Sequence, residues 1–175
     1  MKKLCERIRD NYYPSSDTTY LRDSVKAIVL NEKNEVALIH IKGVDMFGQR
    51  DHYELPGGGV EGSECYEDTF YREVLEELGF FSELACYLGT IEIEYNLLKR
   101  TDVCHFYVGY LKEKSIQSLE AYEKALFEEI VFVPIDTIED FYQSHPTELV
   151  GSMIHRRDLL ALKEALRWLQ TNASS

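Results

Sequence analysis

The chain has 175 residues, 45% of them hydrophobic, and a formal net charge of −12. That length is ample for one packed domain and short for two, so a single domain over residues 1–175 is expected. The acid excess argues against a nucleic-acid polymer as the main partner, because phosphate backbones call for Lys and Arg, but it leaves small nucleotides open.

Residues 1–22 are polar and aromatic, with a turn at Pro14-Ser15-Ser16-Asp17, and are expected to pack on the domain or on a partner. Ser24–Leu30 (SVKAIVL) and Glu35–Ile41 (EVALIHI) are β-rich runs joined by a hairpin turn at Asn31–Asn34. Gly43–Asp51 reads as a polar, glycine-containing loop, and His52–Leu55 as a short strand leading into the turn LPGGG. A helix is predicted from Cys65 to Leu78, with Ser63 as N-cap and Phe70, Val74, Leu75 and Leu78 facing the core. Glu83–Tyr95 and Asp102–Leu111 are strand-like and should pair antiparallel through Asn96–Thr101. Ile130–Val133 is a further strand ended by Pro134, and Asp136–Tyr142 a short helix capped by Asp136. Residues 147–171 carry a long helical pattern with Leu149, Met153, Leu159, Leu160, Leu162, Leu166 and Leu169 as apolar positions. Strands bracketing helices without regular βαβ alternation suggest an α/β chain with a mixed sheet.

The cysteines (Cys5, Cys65, Cys86, Cys104) form no CxxC pair and read as free thiols. The basic N-terminus has no apolar core behind it, and no run is long and apolar enough to span a membrane. The expected location is therefore cytoplasmic, with no membrane partner.

The most informative stretch is residues 57–80, GGGVEGSECYEDTFYREVLEELGF. Glu73, Glu76 and Glu77 share one helix face, where like charges repel and oppose the C-terminal end of the macrodipole. Gly79 marks that end. A solvated charged face is the ordinary explanation of such a run, but here Arg72 precedes the acids and no base follows them before Gly79. Three carboxylates crowded at the negative end of a helix make sense around a hard cation such as Mg²⁺ or Mn²⁺.

These residues resemble the signature of the Nudix hydrolase family, of MutT-like type: G-x5-E-x7-R-E-U-x-E-E-x-G-U, with U aliphatic. The pattern falls on Gly58, Glu64, Arg72, Glu73, Val74, Glu76, Glu77, Gly79 and Phe80, the last aromatic where the family has an aliphatic residue. The resemblance implies a Nudix fold, an α/β/α sandwich with a mixed central sheet and a loop–helix–loop box. It also implies hydrolysis of a pyrophosphate bond in a nucleoside diphosphate linked to another moiety, either a nucleoside triphosphate or a nucleoside-diphosphate derivative. By position Glu73, Glu76, Glu77 and the Gly57 carbonyl would hold Mg²⁺ or Mn²⁺. Glu73 or Glu76 would be the catalytic base. Gly58, Glu64, Arg72 and Gly79 would orient or support the box, Arg72 by reaching Asp68 or Glu76. The partner would be a small nucleotide-type substrate, with room for a homodimer. A Nudix-fold sensor with weak turnover is the alternative; such modules usually lose box carboxylates, and none is missing here.

Outside the box the signals are thinner. Glu120, Glu123, Glu128 and Glu129 lie where many family members supply a further ligand or base, although a solvated helix explains any single one. Tyr12, Tyr13, Tyr20, Phe47 and Tyr53 are candidates to stack a base, and Arg22, Lys42 and Arg50 to meet a phosphate. His155-Arg156-Arg157-Asp158 reads as a helix surface. The Gly43–Asp51 loop is expected to take part in selecting the substrate.

Overall fold

A computed structural model describes residues 3–15 and 20–173. Part of the expected turn at Pro14–Asp17 lies outside the described residues. One mixed sheet organises the chain. Its strands are β1 (Leu4–Ile8), β2 (Tyr20–Leu30), β3 (Glu35–Asp45), β4 (Gly48–Glu54), β5 (Phe80–Tyr95), β6 (Arg100–Lys114) and β7 (Phe127–Pro134). They run in the order β1-β5-β6-β2-β3-β4, and β7 pairs with β3. Helix α1 (Tyr66–Glu73) opens the box, and a short helix α2 (Ala121–Leu126) follows β6. Helix α3 (Ile138–Ser144) and the long α4 (Leu149–Ala173) close the chain.

Strand alternation builds two cores. On β2, Val25, Ala27 and Val29 point to one face and meet Phe70, Val74 and Leu78 of the box helix. Ile28 and Leu30 point to the other face and join Leu38, Ile91 and Ile93 under Met153, Ala161, Leu162 and Ala165 of α4. This is the α/β/α sandwich expected from the resemblance. Leu149 is the exception among the α4 positions: it starts the helix at φ 50° and is exposed.

The expected hairpin turn at Asn31–Asn34 forms, with the Asn31 side chain accepting from the Lys33 and Glu35 backbone N–H groups. The β5–β6 antiparallel pair also forms, Tyr95 opposite Arg100. Two parallel pairings were not readable locally: β2 runs alongside β6 over its whole length, and β1 adds to the outer edge of β5.

Four expectations are corrected. Gly43–Asp51 is not a loop but a β-hairpin, with Gly43 opposite Arg50 and Asp45 opposite Gly48. Its tight turn is closed by Asp45 Oδ1, which accepts from the Phe47 N–H at 2.8 Å. The strand periodicity is present, but Arg50 and His52 fill its buried positions, so no apolar alternation announces it. The box helix is capped by Cys65 rather than Ser63, and Asp68 returns to the Cys65 N–H at 3.4 Å. Ser63 falls in a turn that closes from Glu64 N–H to the Glu61 carbonyl. The short helix α3 starts at Ile138 with Thr137 as its cap, because residues 135–137 form a separate 3₁₀ turn.

The segment 155–158 is also not a helix surface: His155, Arg157 and Asp158 are buried. β4 lies at the end of the strand order, and α4 side chains satisfy one of its N–H groups and that of the residue after it. Tyr53 donates to His155 Nε2 at 3.0 Å, and Leu55 donates to Asp158 Oδ2 at 2.8 Å. Burial holds the His155 imidazole down at about 4, with the charge of His52 adding to the effect. In the unfolded chain it titrates near 6.5. Between those values the unfolded chain holds a proton that the folded chain refuses, so stability falls as pH drops from about 6.5 to about 4. The expected His155 contribution is about 3 kcal/mol over that window. It is read as the difference in unfolding free energy between wild type and His155→Gln across pH 4–7. Parallel curves for the two proteins would contradict it.

Candidate active site

The box turn is laid into the sheet itself. β2 leaves β3 after the single Leu30–Val36 pair, and the chain from Pro56 to Val60 takes the vacated edge. Val25 N–H donates to the Gly58 carbonyl at 2.9 Å, Ala27 N–H to Pro56 at 2.9 Å, and Val60 N–H to Asp23 at 3.1 Å. Gly57 sits at φ 132°, and a Cβ there would overlap the Val25 carbonyl. At Gly58 a Cβ would take the space of the Glu73 carboxylate. These glycines let the turn press against both the strand and the box acids.

Arg72 ties the box together. Its Nε donates to Glu64 Oε1 at 2.7 Å, its Nη1 to Glu73 Oε1 at 2.8 Å and Glu76 Oε2 at 3.1 Å, and its Nη2 to the Gly59 carbonyl at 2.9 Å. The expected reach to Glu76 is present, with Glu73 and Glu64 added, and Asp68 is used for the cap instead. Glu64 also accepts from the Glu61 N–H and the Thr69 hydroxyl, which joins the loop to the helix start. Its hydrogen bond from Arg72 holds the Glu64 carboxyl down at about 2.

After Glu73 the helix widens into a π turn over Val74–Leu78 and ends at Gly79, φ 72°. The carbonyls freed there are taken up by the segment after β6. Gln117 Nε2 donates to the Glu77 carbonyl, Ser118 N–H to Glu76 at 2.8 Å, and Ser115 N–H to Gly79 at 2.7 Å. Capping the box this way carries α2, and with it Glu123, onto the acids.

The outcome is a three-carboxylate group: one oxygen each from Glu73, Glu77 and Glu123 lie within 4.8 Å of one another. Glu73 and Glu77 are 5% and 9% exposed. Burial pushes both carboxyls up, Glu77 well above the usual range, while the charges of Arg72 and Lys26 oppose it at Glu73 and that of Lys26 at Glu77. Glu76 stands outside this group, half-exposed on Arg72. Gly57 is held from both sides: its N–H donates to Glu77 Oε2 at 2.6 Å, and its carbonyl accepts from Lys26 Nζ at 2.6 Å. Three hard oxygen donors, two of them buried and with their charged forms disfavoured by that burial, suit a divalent cation.

A cavity of 500 Å³ opens beside the group, lined by Lys26, Gly57, Glu77 and Glu123 and, further along, by Phe47, Tyr95 and Arg157. Glu73, Glu76 and Glu123 border an adjoining 90 Å³ cavity. Of the residues expected to meet substrate, Phe47, Arg22 and Arg50 line the larger cavity. Tyr53 stacks instead on His40, with ring centroids 4.4 Å apart, and Tyr12 and Tyr20 are exposed. A larger open groove over Leu30, Phe81 and Phe132 contains none of the box acids.

Sequence reasoning left Glu123 as one of four equivalent acids and did not single out Lys26, Glu54 or Arg157. The available signals were a lysine interrupting the apolar run SVKAIVL and the polar residues Arg50, His52 and Glu54 at strand period.

Comparison with known proteins agrees with the fold. The NUDIX domain family model matches residues 20–150. The chain belongs to the Nudix hydrolase family. It is 34% identical over 82 residues to a putative 8-oxo-dGTP diphosphatase of Bacillus subtilis (strain 168), a match covering 47% of this chain and 48% of that protein. The chain thus spans about half the length of that curated relative. It is 29% identical over 130 residues to an RNA pyrophosphohydrolase of Sulfurovum sp. (strain NBC37-1), covering 67% and 80% of the two chains. Among solved structures, a MutT protein from Methanosarcina mazei Go1 superposes with TM-score 0.59 at 21% identity, over 82% of this chain and 96% of that one. An ADP compounds hydrolase superposes with TM-score 0.66 at 20% identity, over 91% and 78%. The four cysteines are free. Among the described residues no helix is long and apolar enough to cross a membrane.

Proposed function

We propose that this protein hydrolyses a pyrophosphate bond in a small nucleotide, a nucleoside triphosphate or a nucleoside-diphosphate derivative, with Mg²⁺ or Mn²⁺ held by Glu73, Glu77 and Glu123. The convergence of those three oxygens, with Glu77 and Glu123 on the wall of a 500 Å³ cavity, carries the reading. Such an ion neutralises charge on phosphate oxygens and lowers the pKa of water. The chain's own residues supply the rest. Arg72 fixes the Glu73 and Glu76 carboxylates in orientation. Glu76, outside the three-oxygen group, is the acid we assign to take the proton of the attacking water, with Glu73 as the alternative. The Gly57 carbonyl, assigned to the metal by the resemblance, already accepts from Lys26, which leaves its second lone pair for a cation. Phe47 and Tyr95 offer aromatic surface for the base.

The relatives act, by name, on 8-oxo-dGTP, RNA and ADP compounds. The net charge of −12 favours a free nucleotide over an RNA end. The test is phosphate and pyrophosphate release over nucleoside triphosphates, 8-oxo-dGTP, ADP-ribose and 5′-triphosphorylated RNA, with Mg²⁺ and with EDTA. A small nucleotide should be turned over with metal and not without it. At limiting metal the rate should rise with pH, since the raised carboxyls must ionise before they bind a cation. Activity on phosphomonoesters alone, or activity indifferent to EDTA, would overturn the proposal.

A further inference from the structure

Lys26 lies on β2 in an otherwise apolar run, and it is 8% exposed. Burying an ammonium is costly, and an apolar side chain would satisfy the core without that cost. An ammonium carries three donors. One is spent on the Gly57 carbonyl at 2.6 Å, and the Leu55 carbonyl lies at 3.5 Å, the limit of hydrogen bonding. Among the described residues it is hydrogen-bonded to no carboxylate, although its charge acts on Glu54, Glu73 and Glu77. The side chain lines the 500 Å³ cavity together with Gly57, Glu77 and Glu123. A buried cation with donor capacity left over, on the wall of the cavity that the acidic group faces, fits an anionic ligand that enters that cavity.

We propose that Lys26 positions the substrate diphosphate, its ammonium binding a phosphate oxygen alongside the carboxylate group. The inference rests on the reading that Glu73, Glu77 and Glu123 take a divalent cation and that the cavity takes a diphosphate. Lysine serves here as a compact point charge that can stay on the Gly57 carbonyl while donating to phosphate. It also keeps one positive charge beside the acids before a cation arrives.

The test uses Lys26→Met and Lys26→Gln in the full chain. Glutamine keeps a donor for the Gly57 carbonyl and removes the charge, so it separates folding from phosphate binding. Methylenebisphosphonate, a non-hydrolysable diphosphate, is titrated calorimetrically in the presence of Mn²⁺, and Mn²⁺ binding alone is measured on the same proteins. Both variants should bind the bisphosphonate at least tenfold more weakly than wild type while binding Mn²⁺ no more weakly. Lys26→Arg should recover part of the loss. Unchanged bisphosphonate affinity in Lys26→Gln would overturn the proposal. So would a parallel loss of Mn²⁺ binding, which would make Lys26 a support of the acidic group only. If wild type binds neither Mn²⁺ nor the bisphosphonate, the metal reading itself falls and this inference falls with it.

Discussion

Glu77→Gln should lose turnover by a factor on the order of 10²–10³ while folding as well as wild type. The two effects separate because the carboxylate has one local structural task, accepting the Gly57 N–H at 2.6 Å, which the amide oxygen can take over. Its charge is unfavourable on balance without metal, because burial outweighs the attraction of Lys26 and the Gly57 N–H. Burial already disfavours the ionised form, and the charge of Glu73 adds to that effect. Removing the charge should therefore leave the thermal midpoint without metal equal or higher. The stabilisation that Mg²⁺ gives to wild type should disappear, since an ion stabilises only the state that binds it. Full activity in the variant, or an unfolded variant, would count against the assignment.

Arg72→Ala should be the most damaging change in the box for stability, at about 2–4 kcal/mol. Its guanidinium is only 20% exposed and serves Glu64, Glu73, Glu76 and the Gly59 carbonyl at once. Its loss leaves the buried Glu73 carboxyl with the charge of Lys26 to attract it. Arg72→Lys keeps the charge but not the planar fork, and should recover only part of the stability and little of the turnover. Urea unfolding of the three proteins measures the first effect. Coincident transitions for wild type and Arg72→Ala would contradict the role assigned to this residue.

The box was legible because its information is local and periodic. Gapped spacing defines which acids share a helix face, and Gly79 ends the helix where the spacing says it should. An α/β chain with a mixed sheet was legible from the apolar runs, and the sandwich only through the resemblance. What could not be read depends on pairings between distant segments. Glu123 becomes distinct from Glu120, Glu128 and Glu129 only because Gln117 and Ser118 cap the π turn of the box helix and carry α2 with them. The HRRD segment looked like a solvated helix face because the need it meets, the N–H groups of Tyr53 and Leu55 at the end of β4, lies about 100 residues earlier. The β3–β4 hairpin was hidden for a related reason. Its inward positions Arg50 and His52 are polar, and Arg50 lines the cavity, so the usual marker of a buried strand face is missing there.

Glu73, Glu77 and Glu123 are expected to form one cation site. The most direct measurement is a titration of Mn²⁺ with protein, followed by the paramagnetic resonance signal of the free ion. Wild type should remove that signal with saturable binding, and the triple variant Glu73→Gln, Glu77→Gln, Glu123→Gln should leave it in solution while remaining folded by circular dichroism. Equal uptake of Mn²⁺ by the two folded proteins would contradict the account.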